Sequence, residues 1–194
     1  GLRTHALGKR IIRAHTRRAD ARFAFPEKLA ERISGHMIHS IARRGKYLLL
    51  RIGPLHLIGH LGMSGNMIIR PSDHPHHKHD HIIWELEDGY DFVYHDPRRF
   101  GFMIEAPHGF ETHKMIAALG PEPCDAAFTH AQFAASLSRS RSPIKNYLLD
   151  QRVIAGLGNI YVCEALFRAS LHPTRAARDC ADQAEGLLHH IRNI

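Results

Sequence analysis

The sequence predicts an α+β protein in which an N-terminal β-sandwich with flanking helices precedes a helical domain. Short apolar runs separated by turn residues fill the chain up to about Glu105, the pattern of a sandwich or barrel. From His108 onward those signals fade, and Ala, Leu and long side chains dominate. Between the two regimes, Leu119-Gly120-Pro121-Glu122-Pro123 cannot be helical throughout and reads as a stiff link. The expected division is therefore a domain at 1–118, a linker at 119–123 and a second domain at 124–194.

Taken in order, residues 9–16 and 22–25 read as strands. Residues 26–33 place a proline at a first helical position ahead of a helix-forming body. Residues 47–52 and 55–61 flank Gly53-Pro54, a turn pair, and read as a hairpin. Residues 66–69, 81–86 and 91–94 continue the strand series, with Asp88-Gly89 as the hairpin signal between the last two. Four helices are expected beyond the link, at 126–137, 142–150, 160–169 and 179–194. Ser142 is placed to cap the second and Pro143 to open its first turn, while Asn159 is placed to cap the third.

The chain has 194 residues, 44% hydrophobic, which is enough to bury a core. No apolar run reaches the roughly 18 residues that cross a bilayer, and no apolar segment of a secretory signal follows the basic N-terminus. A cytoplasmic protein is expected. Lys+Arg 26 against Asp+Glu 19 gives a formal charge of +7, a balance that favours a polyanion, with nucleic acid ahead of a membrane surface. The three cysteines, Cys124, Cys163 and Cys180, form no CxxC pair, so neither a disulfide framework nor a cysteine zinc site is readable.

Basic residues gather in three places. Arg3, Lys9, Arg10, Arg13, Arg17, Arg18 and Arg22 face one acid, Asp20, in the first 22 positions, as either a phosphate-binding surface or a solvated one. Arg43-Arg44-Gly45-Lys46 precedes a buried strand, and strand alternation would put Arg44 and Lys46 on one side. Arg98-Arg99 follows Asp96-Pro97 and precedes Phe100-Gly101 between strands. There guanidinium groups suit phosphate or base and a ring suits a base stack, although Phe100 equally suits a core. Between two helices, Gly156-Leu157-Gly158-Asn159 permits close backbone approach at a helix start, where phosphates bind, and is equally an interhelical turn. Histidine is the compositional outlier at 18 residues. The tract from Asp73 to His81 holds five of them, but proline interrupts it and no i, i+4 helical pair forms, so adventitious metal affinity is expected rather than a functional site.

Read together, the strings RRGKYLLL (43–50), HLGMSG (60–65), KHDHI (78–82), YHDPRRFG (94–101), LGPEP (119–123) and IKNYLLDQRVIAGLGNIYVCEALFRASLHP (144–173) resemble the formamidopyrimidine-DNA glycosylase family, bacterial base-excision enzymes for oxidised purines. They occur in the family's order and span both expected domains. The resemblance implies a β-sandwich joined to a helix–two-turn–helix domain, with double-stranded DNA in the cleft between them and the protein a monomer. It implies that Met63, Arg98 and Phe100 fill the gap left by a flipped nucleotide, the set of the purine branch rather than of its pyrimidine-specific relatives. It implies phosphate contacts from Lys46, His60 and Asn159 and further DNA contacts from His79, Arg98 and Arg139; Arg99, beside Arg98, is also expected to contact DNA. Lys145 would lie close to the damage, and Lys46 would be the catalytic proton donor of β-elimination.

The sequence also departs from that pattern. The family opens with Pro-Glu-Leu-Pro-Glu, whose N-terminal proline is the nucleophile of Schiff-base chemistry and whose glutamate is the general acid. Here Gly1-Leu2-Arg3 aligns just after that segment. Ile194 falls before the family's four-cysteine zinc finger, so no cofactor is expected in these residues and one structural zinc in a complete family member. The 194 residues are expected to bind DNA without excising. A non-catalytic damaged-DNA-binding protein and, apart from the resemblance, a histidine-rich metal-binding module are the competing readings.

Overall fold

The computed structural model describes all 194 residues, Gly1–Ile194, which form two compact units, Gly1–His113 and Lys114–Ile194. The division falls ahead of 119–123, so that segment belongs to the second unit.

The first unit is a sandwich of two four-stranded antiparallel sheets. After a short helix α1 (Leu2–Ala6), the strands are β1 (Ile11–Thr16), β2 (Ile38–Arg44), β3 (Tyr47–Ile52), β4 (Leu55–His60), β5 (Asn66–Pro71), β6 (Asp80–Leu86), β7 (Tyr90–His95) and β8 (Phe102–Glu105), with α2 (Leu29–Ile33) between β1 and β2. One sheet runs β1-β6-β7-β5 and the other β2-β3-β4-β8. Alternate residues supply the core: Ile82, Trp84 and Leu86 from β6, Phe92 and Tyr94 from β7, Leu55 and Leu57 from β4, Leu50 and Ile52 from β3. Trp84 and Phe92 meet edge-on at 4.9 Å between centroids.

Turn chemistry sets the registers. Gly45-Lys46 and Gly53-Pro54 are two-residue hairpin turns, and both glycines have positive φ (55° and 52°) at the first turn position, where an L side chain would be strained. Lys46 therefore stands in a turn, not on a strand face beside Arg44 as alternation suggested. Residues 22–25 are not a strand. Only an isolated bridge links Asp20 to Ala24, and the apolar character of the segment is spent on Phe25, buried edge-on to Tyr94. Strand β2 escaped the periodicity reading because its register shifts between Ile38 and Ser40, so its inward residues, Ile38 and Ile41, are three apart instead of two.

The second unit is helical: α3 (Lys114–Ala117), α4 (His130–Leu137), α5 (Ile144–Leu149), α6 (Asn159–Arg168), a 3-10 helix (Ala177–Gln183) and α7 (Ala184–Arg192). Its core joins Phe133 and Leu137 of α4 to Ile144, Leu148, Val162, Leu166, Leu187 and Leu188. A capping box between Thr129 and Gln132 starts α4 later than the composition suggested. The caps of the next two helices also differ from expectation. Pro143, not Ser142, is the N-cap of α5, and its first N–H groups donate instead to the carbonyls of Arg175 (2.8 Å) and Pro173 (3.2 Å). Gly158 is the N-cap of α6, leaving Asn159 as its first residue with a side chain released from capping. The last expected helix is two pieces, because residues 177–183 wind as a tighter 3-10 turn.

Candidate nucleic-acid interface

One end of the β2-β3-β4-β8 sheet gathers several of the residues singled out in the sequence. Lys46 occupies the β2–β3 turn, the neighbouring Tyr47 pairs across the ladder with His60, and His60 pairs with Phe102. The His60 ring stacks on Phe102 at 5.5 Å and tilts against Tyr47 at 5.3 Å. Its Nδ1 accepts the Gly62 N–H at 2.9 Å, so the ring proton sits on Nε2 as a donor. Burial, followed by the charges of Lys46 and Arg22, pushes the His60 imidazole below its ordinary value. Burial likewise pushes the Lys46 ammonium down, although its tip reaches solvent.

Met63 and Phe100 stand on two loops at the same sheet end. The β4–β5 loop carries Met63, 74% exposed, and the β7–β8 loop carries Phe100, 45% exposed. The loops lie backbone against backbone: a Cβ on Gly62 would sit 2.6 Å from both the Gly101 nitrogen and the Phe100 carbonyl carbon. The Arg98 guanidinium lies over the Phe100 ring at 4.7 Å, which orients both. Arg99 has a φ of 56° and reaches Asp20 at 3.5 Å on the surface. The Arg22 N–H donates to the Gly101 carbonyl at 3.0 Å, tying the 19–25 segment to the same loop.

Beneath the loops lies Asp96, fully buried, a residue that sequence reasoning did not single out. Its Oδ1 accepts from Ser64 Oγ (3.1 Å) and the Arg98 N–H (3.3 Å), and its Oδ2 from the Gly101 N–H (2.8 Å) and Tyr94 Oη (3.2 Å). Its backbone carbonyl accepts from His81 Nε2 at 2.7 Å. Burial would raise this carboxyl, but the four bonds outweigh burial and hold it below the usual carboxylate range. The only signal available was an acid before proline at a strand end.

His79 is half-buried beside the rings of His95 (6.0 Å) and His81 (6.4 Å). The histidine tract is organised by Asp80, which accepts from Arg70, from His95 Nδ1 (2.8 Å) and from the His77 N–H (2.6 Å). The ring on this carboxylate is that of His95, from outside the tract, while His77 contributes only its backbone N–H and His76 Nδ1 meets Arg70 at 3.0 Å; no group of three or more His, Cys, Asp or Glu side chains is arranged to hold a metal ion. The donor set for a four-cysteine zinc is not here either. Cys124 and Cys163 are exposed and Cys180 is buried in the helical core, so these residues do not fit that group.

In the second unit, Asn159 is exposed at the start of α6, its side-chain Oδ1 accepting from Cys163 Sγ at 3.8 Å. Ile160 and Tyr161 follow it into solvent at 80% and 51% exposure. Gln151 holds the preceding loop: its amide donates to the Leu149 (3.0 Å) and Leu157 (2.8 Å) carbonyls and accepts the Gly156 N–H (2.9 Å). The 119–123 segment packs onto this loop, the Gly120 N–H donating to the Gln151 carbonyl and the Ala155 N–H to the Pro121 carbonyl, both at 2.9 Å. Lys145 on α5 lines a hollow of about 470 Å³ with Cys163, Phe167 and Leu171. Arg139 is exposed in the turn after α4, and nothing ties it to Lys145 or Asn159.

This architecture has a known counterpart over nearly its whole length. Residues 1–103 match the model of the formamidopyrimidine-DNA glycosylase N-terminal domain, and residues 119–194 match the model of the H2TH domain of the same enzymes. The chain belongs to the formamidopyrimidine-DNA glycosylase family. Relatives in this family include the formamidopyrimidine-DNA glycosylase of Cereibacter sphaeroides strain KD131, 44% identical over 205 residues, covering 100% of this chain and 72% of the relative. The glycosylase of Lactococcus lactis, solved non-covalently bound to DNA containing an AP site, superposes with a TM-score of 0.88 at 33% identity, over 99% of this chain and 75% of that one. A MutM structure in complex with DNA containing carbocyclic 8-oxo-G gives 0.86 at 34% identity, over 98% and 73%. The fold is thus the α+β glycosylase fold with an H2TH domain, in a family of DNA-repair glycosylases.

Proposed function

We propose that this chain grips duplex DNA at a damaged nucleotide, as a monomer, and belongs to a glycosylase and AP lyase acting on oxidised purines. The observation that carries this reading is the pair of abutting loops with Met63, Arg98 and Phe100. Two large apolar side chains are held in water beside a guanidinium already laid over an aromatic face. Their burial is supplied by a base stack from which one nucleotide has been turned out, and Arg98 then meets the unpaired partner base. The Met–Arg–Phe set favours purine lesions, as does the likeness to a relative solved on carbocyclic 8-oxo-G DNA.

The remaining roles follow from charge and donor geometry. Lys46, the Nε2–H of His60 and the side-chain amide of Asn159 are donors for backbone phosphates, with His79, Arg99 and Arg139 as further contacts. The lowered Lys46 ammonium suits a proton donor in β-elimination, because a donor closer to neutrality exchanges its proton more readily. Lys145 is the ammonium assigned beside the lesion. For these 194 residues, which contain no Pro-Glu-Leu-Pro-Glu segment, binding without excision is the reading proposed.

Fluorescence anisotropy on intact duplexes and duplexes with an abasic analogue tests the reading. Arg98→Ala or Phe100→Ala is expected to weaken binding at the abasic site about tenfold more than at intact DNA. Arg99→Ala and Asn159→Ala weaken both alike, and Arg99→Ala also lowers the salt slope by about one. Equal affinity of the unaltered chain for the two duplexes would refute the proposal. Borohydride treatment with an oxidised-guanine duplex is expected to trap no adduct on these 194 residues, and an adduct would overturn the binding-only assignment.

A further inference from the structure

We infer that Asp96 and Ser64 are positioning residues that lock the Met63 loop to the Arg98–Phe100 loop, making one rigid wedge from two strand connections. The inference rests on the damaged-duplex reading and adds how its wedge is kept in shape.

Each loop crosses from one sheet to the other, and their flanking strands pair at both ends, His60 with Phe102 and Asn66 with His95. Met63 follows β4 and Phe100 follows β7. Those ladders fix where the loops begin and end but not how the segments between them meet, and the side chains at their tips are too exposed to hold each other. Between the ladders, one buried carboxylate bonds both loops. Asp96 Oδ1 takes the Ser64 hydroxyl from one loop and the Arg98 N–H from the other, while Oδ2 takes the Gly101 N–H at the far side of Phe100. The Arg98–Phe100 turn is thus held at both ends by one group, and Ser64, next to Met63, is its tie to the other loop. Tyr94 Oη from below completes the four acceptor sites of an ionised carboxylate.

Backbone contact supplies the second half of the lock. Gly62, at a φ of 64°, lets its loop lie against Phe100 and Gly101 without a side chain between them, and Gly65 closes the same loop by donating its N–H to the Leu61 carbonyl at 2.8 Å. Arg99 is held at a φ of 56° within this frame, a conformation that needs the surrounding bonds to persist. A wedge entering a base stack gains from this rigidity, since side chains already in place lose less freedom on binding.

Ser64→Ala removes the tie between loops and leaves three of the four bonds to Asp96. Gly62→Ala keeps the tie and forces the backbones apart. Both are compared with Ser64→Thr, which restores a hydroxyl. The readouts are anisotropy on intact and abasic-analogue duplexes, the fluorescence of a 2-aminopurine beside the abasic site, and thermal melts. The expected result is an about five- to tenfold loss of abasic-over-intact preference in Ser64→Ala and Gly62→Ala, with affinity for intact duplex kept. The 2-aminopurine signal of the wedged state falls with it, and Ser64→Thr recovers both. A Ser64→Ala protein that melts lower yet keeps full preference, or that weakens on both duplexes alike, overturns the inference. An unaltered chain with no preference instead refutes the damaged-duplex reading itself, which separates the two failures.

Discussion

Asp80 is 1% exposed, and burial alone would raise its carboxyl; the bonds from Arg70, His95 and the His77 N–H outweigh burial and bring it to about 2. A folded value below the unfolded one stabilises the protein above about pH 4, by roughly 2 kcal/mol, and that contribution is lost as pH falls toward 2. His60 and His81 are also lowered, chiefly by burial, so below about pH 6.5 the unfolded chain takes up protons that the fold resists, and stability falls there too. His81 shows why: Nε2 donates to Asp96, and a proton on its partnerless Nδ1 would be buried without an acceptor. Circular-dichroism melts between pH 7 and 3 are expected to show a shallow decline below about 6.5 and a steeper one below about 4, with Asp80→Asn flattening the second. The sequence pattern around Arg98 and Phe100 pointed to a loop between strands, where both are exposed, and their roles at DNA stand as proposals. Asp96 and Ser64 were not legible in the sequence, since a buried acceptor is defined by donors from distant positions that no local pattern brings together.

At the scale of elements, turns were the most legible feature because glycine at positive φ announces itself. Gly53 and Gly89 each mark an expected hairpin that the ladder shows, whereas Gly45-Lys46, which read as strand, is a turn. Helix starts were less so, because caps can be replaced from elsewhere in the fold, as the carbonyls of Pro173 and Arg175 replace a Ser142 cap on α5. The 119–123 segment shows the same effect. Two prolines made it read as a stiff link between domains, whereas it belongs to the second unit and Gly120 packs so closely on the loop before α6 that a Cβ would lie 2.6 Å from the Val153 carbonyl oxygen. Gly120→Ala is therefore expected to cost about 1–3 kcal/mol, since only backbone can give way. It should also weaken duplex binding through Asn159; a melt and a titration together check both, and an unchanged melting temperature would refute the tight-packing account.

The whole molecule carries +7 on 194 residues, and its two units are built on cores that share no residue. The fold class and the function class were both within reach of the sequence, because six ordered strings spanned the two units while composition alone gave only a polyanion partner. If the four cations Lys46, Arg99, Arg139 and Lys145 meet phosphates, the logarithm of affinity should fall with the logarithm of salt at a slope of about −3 to −4. A slope near −1, read from titrations at several salt concentrations, would leave the binding face unsupported. The exposure of Met63 has one more consequence. A thioether open to solvent is readily converted by peroxide to the sulfoxide, which is polar and poorly suited to sit among bases. The same oxidants that damage guanine would thus blunt this protein's hold on DNA while leaving its fold intact, until a reductase restored the sulfur.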